Sequence, residues 1–131
     1  MKKILLLLIV FASMSCGGKK ETTNTEEFST PDNTPKVSVA DQITEGQALV
    51  QASDCKTCHH PTNKIIGPAH MDVAKKYEFT EANVKMLADK ILKGGQGVWG
   101  EIPMTAHVDV TQANAEKMAR YVLSLDGETE H

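Results

Sequence analysis

The six-residue stretch CKTCHH places Cys55, Cys58, His59 and His60 close together, two thiols and two imidazoles at a spacing that supports three chemistries. A redox dithiol uses Cys-x-x-Cys at a helix N-terminus after a strand, where the helix dipole lowers the thiol pKa. A structural zinc site uses such a pair as half of a four-donor set and needs a second Cys or His pair at short spacing. A haem is attached when two thiols at this spacing add to its two vinyl groups and the next imidazole falls under the iron.

The context weighs these readings. The apolar residues ahead of Cys55 read as a helix leading into the motif, which is the wrong side for a dithiol. His70 and His107 stand singly and far apart, which suits zinc poorly. The haem reading accounts for Cys55, Cys58 and His59 together and leaves His60 facing solvent. Zinc and dithiol stay as alternatives, and a colourless protein would select them. For the sixth position of a haem iron, Met104 stands out because it follows Ile102-Pro103 in a Gly-rich loop. Met86 and Met118 fall in helical runs and read as core, Met71 lies close to the motif, and His70 and His107 are rival ligands.

The elements that must position these residues are helical. Val84, Leu87, Ala88 and Ile91 recur at helical spacing, with Thr80 as N-cap, Gly94-Gly95 as stop and Phe79 with Val84 as a hydrophobic staple. Ala115, Met118, Ala119 and Val122 form a second run that starts at Thr111 and stops at Asp126-Gly127. A weaker run covers roughly Gln42 to Ala52, and Val73 to Tyr77 adds a short turn. Sustained strand alternation is missing. Residues 94 to 107 form a long Gly- and Pro-containing loop, and a loop of that length without its own helix usually has a function. The expected fold is therefore all-α, with three or four short helices in a domain small enough to need a staple, metal or cofactor.

The first fifteen residues read as an export signal. Lys2 and Lys3 precede an eight-residue apolar run from Ile4 to Phe11. That run is too short to span a bilayer, which takes roughly twenty residues. Cys16 follows Ala12-Ser13-Met14-Ser15 and resembles the lipobox cysteine of bacterial lipoproteins, although Ser13 and Met14 depart from the usual pattern. The resemblance implies a lipid on Cys16 and attachment to a membrane. Residues 16–40 are poor in large apolar side chains and are expected to be a tether, with a root-mean-square span of roughly 25 to 30 Å. The domains are thus expected at 1–15, 16–40, 41–127 and, as a short tail, 128–131. The chain carries 14 Lys and Arg against 17 Asp and Glu, a net charge of −3, which argues against nucleic acid as a partner.

The residues then take on a family likeness. Gly46 with Val50, CKTCH at Cys55–His59, Gly67-Pro68-Ala69, GGQGVWGEIPM ending at Met104, and Ala119 to Ser124 occur in order. Together, over about 41 to 126, they resemble a small class I cytochrome c of the bacterial c551 (c8) type. The resemblance implies three or four helices around one covalent haem c, held by Cys55 and Cys58, with His59 and Met104 as axial iron ligands. It implies that the Pro68 carbonyl accepts a hydrogen bond from His59 and that the Trp99 indole reaches a haem propionate. It also implies a close contact between the first and last helices at Gly46 and Tyr121. Lys90 stands where relatives have an Arg toward a propionate, and lysine offers a point charge in place of the guanidinium fork.

After Met104 the chain departs from the family by reading Thr105-Ala106-His107 where relatives carry prolines and an asparagine. The loop is expected to be softer. The reduction potential is expected to vary with pH if His107 titrates near the haem, and flat voltammetry from mildly acidic to neutral pH would sink that expectation. In function the resemblance implies an exported, periplasm-facing electron carrier with redox-protein partners and no small-molecule substrate. Its place would lie between a quinol-oxidising complex and a terminal oxidase or reductase. The rival is a haem protein with a labile sixth ligand acting in catalysis or gas sensing.

Overall fold

In the computed structural model, residues 37–131 are described. The expected signal, Cys16 and residues 17–36 of the expected tether lie outside them. The helices are α1 (Val39–Ala52), α2 (His70–Lys76), α3 (Glu81–Lys93) and α4 (Gln112–Leu123), with short 3-10 turns at Asp54–Thr57 and Ser124–Asp126. Among the described residues, three of the four helices begin on a hydroxyl. Ser38 accepts from the Asp41 N–H at 3.1 Å, Thr80 from Asn83 at 3.3 Å and Thr111 from Asn114 at 3.3 Å. Each contact satisfies one backbone donor that the first helical turn leaves unpaired. The last turn of α3 ends at Gly94 with φ 76°, a conformation open to glycine and costly for other residues.

Helix α4 is the packing centre, and α1, α2 and α3 all lie against it. The core is built from Phe79, Val84, Ala119 and Leu123, flanked by Ile43, Tyr77 and Leu87. Phe79 and Val84 are both fully buried, one just before and one four residues after the Thr80 cap, so the staple fixes how the chain enters α3. Where α1 crosses α4, a Cβ on Gly46 would collide with the Lys117 carbonyl group. The glycine there admits the α4 backbone.

Two further boundaries differ from expectation. Helix α1 starts at Val39, inside the segment read as tether, because Ser38 supplies a cap that a search for apolar periodicity passes over. The C-terminal residues, read only as a tail, are tied down. Arg120 donates from Nε and Nη2 to the two Glu130 carboxylate oxygens at 2.9 and 3.2 Å, a charge-assisted fork. The Phe79 N–H donates to Glu128 at 3.2 Å, and the His131 N–H donates to the Phe79 carbonyl at 3.1 Å. Among the described residues no helix is long and apolar enough to cross a membrane.

Candidate haem-binding site

Between the 3-10 turn after α1 and the loop after α3 lies a cleft of about 530 Å³. That volume falls within the usual range of cofactor sites, roughly 300 to 1,000 Å³. Cys55, Cys58 and His59 line one part of it, and Trp99, Met104 and His107 line another.

The turn that carries the motif is held by its own backbone. The Cys58 and His59 N–H groups donate to the Cys55 carbonyl at 3.1 and 2.8 Å, and the Gly67 N–H donates to the Cys58 carbonyl at 2.8 Å. His59 Nδ1 lies 2.8 Å from the Pro68 carbonyl oxygen. Because that oxygen can only accept, Nδ1 carries a proton, and in the neutral ring this leaves the lone pair on Nε2. A Cβ on Gly67 would come within 2.5 to 2.9 Å of three ring atoms of His59, so only glycine leaves room for this imidazole. His70 stacks on it with centroids 5.3 Å apart. Burial, with His59 and His60 beside it, pushes the His70 imidazole down to about 4, so this second ring stays neutral at neutral pH.

His60 is exposed but not idle. Its Nδ1 accepts from the Thr62 and Asn63 N–H groups at 3.1 and 3.2 Å, so it caps the turn that follows. A histidine two or three residues before unpaired N–H groups was the available signal, and the expectation of a purely solvent-facing ring missed it.

On the same cleft, Met104 is held by an antiparallel bridge. Its N–H donates to the Gly95 carbonyl at 2.8 Å, and the Gly95 N–H returns to the Met104 carbonyl at 3.4 Å. Gly94 is required here as well, because a Cβ on it would strike that same Met104 carbonyl. Trp99 is half-buried, with the Lys76 ammonium 5.4 Å from its ring centroid and Lys64 Nζ donating to its carbonyl at 3.4 Å. Lys90 lines the cleft and lies along Gly95, with its Cδ 3.0 Å from where a Cβ would stand. Met118 is buried and Met86 half-buried, as core residues would be, yet both also line the cleft.

The chemistry of the donors separates the three readings of the motif. Burial first, and the Asp54 carboxylate second, push the Cys55 thiol above its ordinary value, the reverse of what a redox dithiol requires. Among the described residues no three His, Cys, Asp or Glu side chains converge to hold a metal ion, so a zinc site lacks its donor set. Two free cysteines beside an imidazole held by its Nδ1, all lining a cofactor-sized cleft, fit a covalently attached haem.

Comparison with known proteins agrees. The chain is 44% identical over 79 residues to cytochrome c-552 of Hydrogenobacter thermophilus, a match covering 60% of this chain and 80% of that one. It is 38% identical to cytochrome c-551 of Pseudomonas aeruginosa, over 60% of this chain and 74% of the relative. Among solved structures, wild-type cytochrome c552 of Nitrosomonas europaea superposes with a TM-score of 0.57 at 39% identity, over 60% of this chain and 98% of that one. The cytochrome c family model matches residues 43–126. Members of that family bind one haem c covalently through a Cys-x-x-Cys pair, which Cys55 and Cys58 fit, and the homologous proteins are electron carriers and not enzymes. By its sequence match, its helical architecture and its donor set, the chain belongs to the cytochrome c family and is a single-haem electron carrier.

Proposed function

We propose that the protein transfers single electrons at a membrane surface, with Cys55 and Cys58 as the thioether attachments and His59 and Met104 as the axial iron ligands. The observation that carries this reading is the pair of backbone-held donors that line one cleft. His59 is oriented by the Pro68 carbonyl at 2.8 Å, and Met104 is pinned by its bridge to Gly95. When bound, the haem supplies a one-electron couple, and ligation by His and Met raises its potential. The protein's part is to hold both donors still, so that little has to rearrange when the charge changes. The Pro68 carbonyl keeps the proton on His59 Nδ1 and leaves Nε2 free. Trp99 and Lys90, both on the cleft, are assigned to the propionate side, with Lys90 contributing a point charge only.

Residues 1–15 are assigned as an export signal, Cys16 as a lipid anchor, 17–38 as the tether and 39–131 as the carrier domain. This assignment rests on the sequence of the N-terminal segment together with the start of α1 at Val39. A carrier tethered in this way suits transfer between a quinol-oxidising complex and a terminal oxidase or reductase facing the periplasm.

The test is the visible spectrum of the full chain, exported alongside a haem-attachment system, oxidised and reduced, with and without carbon monoxide. A c-type spectrum with a weak far-red sulfur-to-iron band and indifference to carbon monoxide is expected. A strong shift with carbon monoxide would move the reading to catalysis or gas sensing. For the anchor, Cys16→Ser is expected to shift the coloured protein from the membrane fraction to the soluble fraction.

A further inference from the structure

The loop after Met104 is joined to the haem-attachment turn through one side chain. His107 lies three residues beyond Met104, and Asp54 directly precedes Cys55. The His107 imidazole lies between two acceptors. Its Nδ1 is 3.3 Å from the Ile91 carbonyl oxygen, and its Nε2 is 3.2 Å from Asp54 Oδ1. The His107 backbone N–H also donates to the Ile91 carbonyl, at 3.0 Å. Ile91 is in the last turn of α3, where carbonyls lack partners within the helix and a positive charge is favoured.

Neither partner of the ring can donate, since one is a peptide carbonyl and the other a carboxylate. A neutral imidazole has a single N–H and can make only one of these two hydrogen bonds. Both form together only when the ring is the doubly protonated imidazolium. The neighbouring charges leave Asp54 as the group within hydrogen-bond reach. On the attachment turn, Lys56 reaches back to the Gln51 carbonyl at 3.5 Å. On α3, Lys93 pairs with Asp89 at 3.0 Å and Lys90 lies along Gly95. On the loop itself, Asp109 is exposed.

We propose that His107 is a positioning residue for Met104. As imidazolium it clasps the Met104 loop to the residue beside the first haem-attachment cysteine, and on losing a proton it releases one of the two ties. The proposal rests on the reading of Met104 as an axial ligand. The clasp is closed while the ring carries both protons and Asp54 is ionised, and it opens when the ring loses one. The His107 side chain is only 19% exposed, which holds the ring in place, whereas Asp54 is 77% exposed and can be changed without disturbing the core.

The test uses the full-length, haem-loaded protein as wild type, Asp54→Ala and His107→Gln. Ring-nitrogen NMR of the reduced protein reports the protonation of His107. The far-red band of the oxidised protein, titrated with exogenous imidazole across pH, reports how firmly Met104 holds its place. In the wild type both ring nitrogens should carry protons below the transition seen by NMR, and displacement, reckoned per neutral imidazole, should become about three- to fivefold easier above it, as suits a partly exposed pair. Asp54→Ala, which leaves no side-chain partner for Nε2, should show the easier displacement at every pH, as should His107→Gln; if His107→Gln fails to fold, Asp54→Ala decides. Displacement that ignores the protonation of the ring, or is the same in Asp54→Ala as in wild type, overturns the clasp and leaves the ligand reading intact. A wild type without a far-red band at any pH overturns the ligand reading and the clasp with it.

Discussion

The two walls of the cleft are held by different means. On the His59 wall, contacts join residues close in sequence: His59 to Pro68 nine apart, and Cys58 and His59 to Cys55 within one turn. On the Met104 wall the Gly95 bridge is equally local, but the loop beyond it is held by His107, which reaches Ile91 across 16 residues and Asp54 across 53. Exposure differs in degree. On the His59 wall Pro68, Ala69 and His70 are buried and Ile65 and Ile66 are about half exposed, while Ile102 and Val108 in the loop after α3 are 68% and 87% exposed. A locally closed wall forms wherever its own few residues form. The loop wall depends on the rest of the domain being in place, and it should be the first to loosen.

If that contrast holds, substitutions on the two walls should fail in different ways. The largest effect is expected from Gly67→Ala, whose Cβ would press into the His59 ring. The ring cannot retreat without losing the Pro68 carbonyl, so destabilisation of about 3 kcal/mol and an altered haem spectrum are expected by denaturant titration and absorbance. An unchanged spectrum would mean that His59 is held less rigidly than its neighbours suggest. Next comes Gly94→Ala, which places a side chain at φ 76° against the Met104 carbonyl. About 2 kcal/mol should be lost. The far-red band should bleach at lower temperature while the haem stays covalently attached. A variant that lost the haem itself would show that the two walls do not loosen separately.

His60→Ala removes the acceptor for the Thr62 and Asn63 N–H groups and should cost about 1 kcal/mol, because the turn is exposed and water replaces the ring. Its effect should fall on stability, with the Met104 band unchanged at room temperature. The smallest effect belongs to Val108→Ser, below about 0.5 kcal/mol, since this side chain is almost wholly in water. A larger loss in calorimetry would mean that the loop wall packs more tightly than its exposure indicates.

What could be read from the sequence follows the same division. The caps at Thr80 and Thr111, the staple of Phe79 and Val84, and the stop at Gly94 act within a turn or two, and they stand in the fold where the periodicity put them. The start of α1 was placed three residues late, because Ser38 signals a helix by hydrogen bonding and not by hydrophobic pattern. His60 was likewise taken for a bystander, although its role is as local as a cap. Gly46 was noticed as a close-approach glycine, but which atoms it admits depends on the crossing of α1 and α4.

The sequence by itself determined the covalent chemistry and the local frame, because Cys-x-x-Cys-His, the helix caps and the glycine stops act over distances that chain connectivity already enforces. Only the tertiary structure decided that Asp54 would meet His107, that Glu130 would fork onto Arg120 and that Lys76 would lie over Trp99. These contacts join segments that nothing local brings together. Their geometry appears only once burial of the shared core has met the entropic cost of closing the long loops between them.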